Sequence, residues 1–444
     1  MLAEAMRRTL LLWVAVALLA PISAKAGAQG VSNFDRDRGL SMLRTIRRDL
    51  EQHYYDSTYH GLDLAARFDS AAVRIRAAQS NGEIFGVIAL TLFELNDSHT
   101  WFVPPQRVDE VDYGWDLQMF GDSCFVVDVD SGSDAAAQGI TIGDQVLAVN
   151  RFVPSRQDLW KVLYWVNNVD PQPVVELIVR SRLGAVRQVP VRAKVTPGKR
   201  IVDLTGSDGG SDISQLIRKA EGAQRRARDA FVRLDTTVMI WRMNWFRSAE
   251  AMDDGMRRAE QAAALILDLR RNSGGLESAL LRLLGRFLPA TDTIGVIQRR
   301  RERRPLVVKP VGRRPYAGKV VVLVDSRSAS AAELFARTLQ MRGRAIVVGD
   351  RSAGHVQRSL GHQHQVGTQT AVLYATSITD ADIVMADGGR LEHAGVTPDE
   401  SRLPTTDDLA TGRDPVLTRA LALVGVSIDA DSAGKLLPPR RNPR

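Results

Sequence analysis

The chain has 444 residues, room for two or three domains with cores of their own, and a formal net charge of +8 whose excess lies largely in arginine. Its single cysteine, Cys124, excludes an intramolecular disulfide framework and a cysteine-based zinc site. The densest basic run, "QRRRERRP" at 298–305, has no interleaved aromatic residues and is flanked by apolar runs. It reads as a solvated connection between strands, and no nucleic-acid partner is expected.

Arg7 and Arg8 precede the apolar run Thr9–Ala20, and "SAKAGA" then offers small residues at cleavage spacing. This is the pattern of a secretory signal peptide over 1–26, cut after Ala26 or Ala28. The apolar run falls short of the ~20 residues that a spanning helix needs, so no stable membrane anchor is expected. The reading is an exported bacterial protein, periplasmic or extracellular.

From 32 to 110 the pattern is helical. "LSMLRTIRRDLEQHYYD" puts Leu40, Leu43, Ile46 and Leu50 on one face. "LDLAARFDSAAVRIRAAQ" and "GEIFGVIALTLFEL" predict two further helices, the last ending at "NDSHTWFVPP", so that His99 falls in a loop just past a helix end. Residues 111–195 read as a small β domain. Short strands "CFVVDVD", "QVLAVN", "PVVELIVR" and "RQVPVRA" surround the turn-rich "SGSDAAAQGITIGD" and the amphipathic "RQDLWKVLYWV".

The segment "SGSDAAAQGITIGDQVLAVN" resembles PDZ domains, which bind a peptide's C-terminus as an added strand. The matching carboxylate loop is Tyr113, Gly114, Trp115, Asp116 and Leu117. The resemblance places a second glycine where this chain has Asp116, whose side chain either repels a carboxylate or turns to solvent. Residues 196–233 read as a linker and a surface helix. From 234 to 425 buried strands ("ALILDLR", "KVVVLVD", "RAIVVGD") alternate with helices, implying an α/β layer fold with a largely parallel sheet. Residues 426–444 read as a polar tail.

Two strand–helix junctions carry unusual residues. In "LILDLRRNSGG", Gly274 and Gly275 supply either a tight turn at positive φ or exposed N–H groups suited to an oxyanion. In "VDSRSASAAELFA", any of Ser326, Ser328 and Ser330 can cap the helix, or one can be a nucleophile.

Together "DSHT", the PDZ-like module, "LDLRRNSGG", "SASAAE", "VVGDRSAGHVQ" and "LEHAGVTPD" resemble, in order, the C-terminal processing (tail-specific) serine peptidases and their tricorn-type relatives. The resemblance implies a ClpP/crotonase-like α/β peptidase core beside the N-terminal helical segment and the PDZ-like β domain. It also implies Ser330 as nucleophile, an oxyanion hole from the N–H groups of Ala331 and of Gly274 or Gly275, and Ser328 as the cap. The tail-specific branch has a lysine base in a "GKG…Q" segment. Here "SAGHVQ" puts His355 at that distance, and no lysine lies between Ser330 and Lys435, which excludes a Ser–Lys dyad at the usual place. The tricorn-type branch uses histidine and an acid, which map to His99 in "SHT" and Glu392 in "E-x-x-G-V-x-P-D".

A histidine base near neutral pH, oriented by a carboxylate, suits a neutral serine hydroxyl. His355 stays the alternative base. His362 and His364 alternate as on a strand face, where hydrogen bonding is preferred to a metal. "SAGK" at 432–435 is a coincidence of spacing. The expected function is a serine endopeptidase acting on protein or peptide through an acyl-enzyme, with no metal or organic cofactor. A catalytically inactive PDZ-containing binding or scaffold protein is the alternative. Substrate, cleavage preference and oligomeric state are not written in these motifs.

Overall fold

The computed structural model of the chain describes residues 31–105, 109–197, 229–234, 237–367 and 372–438. The expected signal segment, and most of the expected linker and surface helix, lie outside the described residues.

Among the described residues three α-helices come first, α1 (Asn33–His53), α2 (Leu64–Ala77) and α3 (Asn81–Phe93). Each begins where a short polar side chain takes an amide that the helix leaves unpaired. Ser32 accepts from Asp35 N, Asp63 from Ala66 N and Ser80 from Glu83 N. The predicted face of α1 is buried through Leu43, Ile46 and Leu50, clustered with Phe68, Ile75, Ile84 and Ile88. None of these helices, nor any other among the described residues, is long and apolar enough to cross a membrane. Beyond α3 the chain does not stay a loop. It forms β1 (Trp101–Val103), antiparallel to β17 (Val372–Met385) with Trp101 opposite Ser377. β17 also pairs with β16 (Arg358–Val366) and β12 (Asp292–Gln298), and β12 with β13 (Arg303–Val308), in one antiparallel sheet.

The small β domain is tied off by β2 (Glu110–Asp112) and β8 (Lys194–Thr196), which pair antiparallel. Its sheet runs β3 (Trp115–Phe120), β4 (Ser123–Val129), β5 (Gln145–Val149), β6 (Val174–Arg180), β7 (Val186–Arg192), all neighbours antiparallel. Two short helices complete it, α4 (Asp134–Ala137) and α5 (Leu159–Tyr164).

The third unit is built on six strands in the order β18 (Glu400–Ser401), β15 (Ile346–Gly349), β14 (Lys319–Val324), β11 (Ala264–Asp268), β10 (Val238–Arg242), β9 (Ala230–Leu234). All neighbours are parallel except β9 and β10. Successive residues alternate between two apolar layers. Trp241, Leu265, Leu267, Val322 and Val324 meet α6 (Ala249–Ala259), α7 (Glu277–Leu284) and α8 (Ala331–Met341). Ile240, Ile266, Val321 and Leu323 meet α10 (Pro415–Leu423) and α11 (Ala430–Lys435), which follow the short α9 (Thr406–Thr411). A sheet covered on both faces explains why these strands read as continuous apolar runs.

Two expectations are corrected here. The stretch read as linker up to 233 already contains β9, whose Phe231 stacks on Trp241 with ring centroids 5.5 Å apart. The stretch read as a polar tail contains α11, which buries Ala433 and, just beyond it, Leu437 beneath the sheet. Arg242 Nη1 donates to the Pro438 carbonyl at 2.5 Å, fastening that end. Its few apolar residues were too sparse to mark a core-facing helix.

Candidate active site

Ser330 stands between β14 and the first turn of α8, with φ 55° and ψ −118°. Such a conformation costs a non-glycine residue on the order of 1–3 kcal/mol and persists only where its surroundings impose it. Here they do. The Ser330 N–H donates to the His355 carbonyl at 2.8 Å and to Glu333 Oε2 at 3.0 Å. Ser328, expected as the cap, is instead a buried tie between two strand ends. Its Oγ donates to the Leu269 carbonyl at 2.8 Å and accepts from Asp325 N at 2.9 Å. The N-cap position belongs to Ser330 itself.

Glu333 was seen in the sequence only as part of a motif. Its buried carboxylate also accepts from Ser352 Oγ at 2.6 Å, Gly354 N at 2.7 Å and His355 N at 3.0 Å. Burial pushes its pKa up to about 7 against these four donors. One side chain thus fixes the serine turn and the 352–355 loop together.

The glycine turn lies against the serine. A Cβ on Gly274 (φ +100°) would stand 2.7 Å from Ser330 Cβ, and 3.0 Å from both the Ala329 carbonyl oxygen and Ala331 N. The Gly274 N–H is already given to Asn272 Oδ1 at 2.8 Å. Among the described residues no such bond engages the N–H groups of Gly275 and Ala331, so these two are free to serve an oxyanion. Gly274→Ala would press its Cβ on Ser330 and on the Ala331 N–H, and displacing that one oxyanion donor is expected to lower turnover by about a hundredfold or more. Its thermal midpoint should fall by only a few degrees. Wild-type turnover in that variant would remove this turn from the site.

His99 is held by a hydrogen-bonded staple. Asp97 Oδ1 accepts from His99 N at 3.0 Å, Thr100 N at 2.6 Å and Thr379 Oγ1 at 3.0 Å on β17. Asp97 Oδ2 accepts from Tyr54 at 2.8 Å. The imidazole does not meet Glu392 directly; Ser98 lies between them. His99 Nδ1 is 2.7 Å from Ser98 Oγ, which donates to Glu392 Oε2 at 3.1 Å. Glu392 also accepts from Ser98 N at 3.0 Å and Val356 N at 2.8 Å. A carboxylate only accepts, so the one Ser98 proton points to Glu392 and Nδ1–H donates to Ser98. That arrangement leaves Nε2 as the unprotonated, basic nitrogen. Among the described residues no hydrogen bond joins Ser330 Oγ to either imidazole; such contacts often tighten only with substrate bound. Ser98 was missed in the sequence. Its place between His99 and a distant carboxylate was the signal, but it emerges only once 98 and 392 are brought together.

His355 has a different setting. Its ring stands edge-on to Trp160 of α5 at 5.9 Å. Burial, then the charges of His99, His393 and Lys161, push its pKa down to about 4. A base that weak, with no carboxylate bonded to its ring among the described residues, is the poorer candidate. The neutral ring stabilises the fold above pH 6.5. As pH falls from there towards about 4, the unfolded chain takes up a proton that the native site refuses, and stability declines. His355→Phe should flatten that part of the melting profile. Burial also lowers the His99 pKa from 6.5, with Asp97 opposing.

The Tyr113–Leu117 loop is buried throughout, so the Asp116 side chain does not turn to solvent. Arg327 grips it with Nη1 at 2.8 Å and Nη2 at 2.6 Å, and Arg271 Nη2 lies at 2.6 Å. Both arginines flank the serine and glycine turns. Gln118 and Ser326 add bonds across the same seam, to Asp325 Oδ2 at 2.7 Å and to the Met119 carbonyl at 2.5 Å. His362 stacks on His53 at 4.5 Å, and His364 Nε2 lies 2.6 Å from Asp49 Oδ2, which ties β16 to α1.

An α/β core with a strained serine at a strand–helix turn, a glycine turn beside it and a histidine held through a hydroxyl and a carboxylate defines a class, that of the serine hydrolases. Residues 235–402 match the family described as Peptidase family S41. The chain is 24% identical over 354 residues to the chloroplastic carboxyl-terminal-processing peptidase 1 of Arabidopsis thaliana, covering 74% of this chain and 65% of that one. It is 24% identical over 333 residues to peptidase 3 of the same plant, spanning 59% of its length. A putative tricorn protease homolog 2 of Streptomyces coelicolor is 30% identical over 169 residues, which is 38% of this chain and 13% of that protein. The fold is shared with mature CPAF, with a TM-score of 0.63 at 17% identity over 85% of this chain and 95% of that one.

Proposed function

We propose that the chain is an exported serine endopeptidase working through a Ser330–His99 pair in which Ser98 and Glu392 orient the histidine. Ser330 Oγ attacks the peptide carbonyl carbon, and its proton passes to His99 Nε2. The oxyanion is held by the N–H groups of Ala331 and Gly275. Collapse breaks the C–N bond, and the departing amine takes the proton from His99. Water, activated by the same imidazole, then hydrolyses the Ser330 ester. The antiparallel domain at 111–195 is taken as PDZ-like, with Tyr113–Leu117 serving as its docking seam to the core.

The observation that carries this reading is the hydrogen-bonded run from His99 through Ser98 to Glu392. It fixes the tautomer that a base for Ser330 requires. The test is covalent labelling by a fluorophosphonate, read by intact mass, on the wild type and on Ser330→Ala, His99→Ala and His355→Ala. Labelling should vanish in the first two and persist in the third. Loss with His355→Ala alone would transfer the base to His355. No labelling of a folded wild type would leave a binding protein that keeps the fold. The lowered His99 pKa predicts an acid limb of kcat/KM below pH 6.5; a limb at pH 7 or above would sink His99 as the base.

A further inference from the structure

A cleft opens beside the candidate triad, and its walls come from three parts of the chain. Ser98 belongs to the histidine loop, Trp160 and Lys161 to α5 of the small domain, and Arg351 and His355 to the loop that receives the Ser330 N–H. Ser98 is bonded to His99 and the His355 carbonyl accepts the Ser330 N–H, so the cleft adjoins the candidate site.

The charge of this cleft is one-sided. Asp97, at its floor, is occupied by its four donors. Arg156, also on the wall, is spoken for by Asp350 at 2.8 Å. Lys161 Nζ is paired with the half-exposed Asp158 at 3.0 Å and stands over the Phe93 and Trp160 rings, 5.8 Å and 5.9 Å from their centroids. Among the described residues no hydrogen bond or ion pair engages the Arg351 side chain, which is exposed at the rim. The Arg351 guanidinium is therefore left to face an occupant, with Lys161 held beside the cleft only by an exposed carboxylate and the Trp160 indole, edge-on to His355, as an apolar wall.

We propose that this cleft is a specificity subsite for an acidic side chain of the substrate, near the scissile bond, with its carboxylate at Arg351 and Lys161 and its methylenes against Trp160. Charge-assisted bonds to a guanidinium are stronger than neutral ones, and a site left with an unpaired cation discriminates against an uncharged isostere. The inference rests on the serine-peptidase reading and adds a substrate class to it.

The test digests reduced, alkylated casein with the full chain and maps the cut sites by mass spectrometry. A matched pair of peptides is then built on the best site, differing only as Glu against Gln at the enriched position. Wild type should favour the Glu peptide by about tenfold or more in kcat/KM, mostly through KM. Arg351→Gln combined with Lys161→Gln should bring that ratio below about twofold while fluorophosphonate labelling stays at the wild-type rate. Arg351→Glu should turn the preference towards Lys. Cleavage and labelling without any acidic preference would overturn the subsite and leave the peptidase reading standing. A folded wild type that neither labels nor cuts would overturn both. A preference abolished by amidating the peptide's C-terminus, and untouched by Glu→Gln, would put the recognised carboxylate at the chain end and overturn the side-chain assignment.

Discussion

Ser330→Ala should reduce peptide turnover by about four to six orders of magnitude, and His99→Ala by nearly as much. The two losses should not add, since a serine without its base and a base without its serine fail at the same step. Ser98→Ala is the more informative variant. It removes the group through which Glu392 holds the imidazole, but leaves nucleophile, base and oxyanion donors in place. A loss of about 10²–10⁴ in kcat with KM little changed is expected, the scale seen when a histidine is left in the wrong tautomer. Glu392→Gln should fall in the same range, because an amide can point its NH2 group at Ser98 and reverse the direction of the chain. Turnover with a quenched casein substrate, read beside a thermal melt, measures all four. Wild-type kcat in Ser98→Ala would mean that His99 is positioned by something other than this run.

Asp116→Ala is expected to lower stability by about 3–5 kcal/mol, the usual cost of leaving buried charges without a partner. Asp116 is 5% exposed, and Arg327 and Arg271 both bond to it. Burial works to raise its pKa, but the hydrogen bonds and charge of Arg327, then the charge of Arg271, outweigh it and hold the carboxyl below 3.8. The stabilisation is therefore full above pH 3.8 and is lost as the pH falls through the lower native value. Urea titration at pH 7 gives the first quantity and an acid series the second. Because the two arginines flank the serine and glycine turns, turnover should drop as well. A variant with wild-type stability and only a raised KM would return Asp116 to a peptide-binding role.

Most of the architecture could be read in advance because strands buried on both faces print their own signature. "ALIL" in the one and "VVVLV" in the other run without a polar residue, and both became central strands. The antiparallel sheet around β17 was harder. Val372–Met385 mixes Thr, Ser and Asp with its apolar residues, since its first half packs on the helices and Thr379 at its middle reaches the histidine loop. At the site, Ser330, His99 and Glu392 were named by motif, and the chain does bring their segments together. Ser98 and Glu333 were not given roles, because a bridging hydroxyl and a carboxylate that collects four donors are defined by partners 294 and 19 to 22 residues away. Asp116 was misjudged for the same reason. A lone acid in a loop reads as exposed until its two arginines arrive from positions 271 and 327.

The seam that Asp116 anchors also closes an open sheet edge. β3 is the outermost strand of the small domain, and an outermost strand offers every second backbone group to whatever comes near. Here the carbonyl of Leu117 receives Arg327, that of Met119 receives Ser326, and the N–H of Gly121, just past the strand, is taken by Asp350. The α/β unit thus occupies backbone groups that a second strand would otherwise take. A fragment holding only residues 111–195 would bare that edge and the Asp116 carboxylate together. It should pair with copies of itself on concentration, where the full chain stays dispersed.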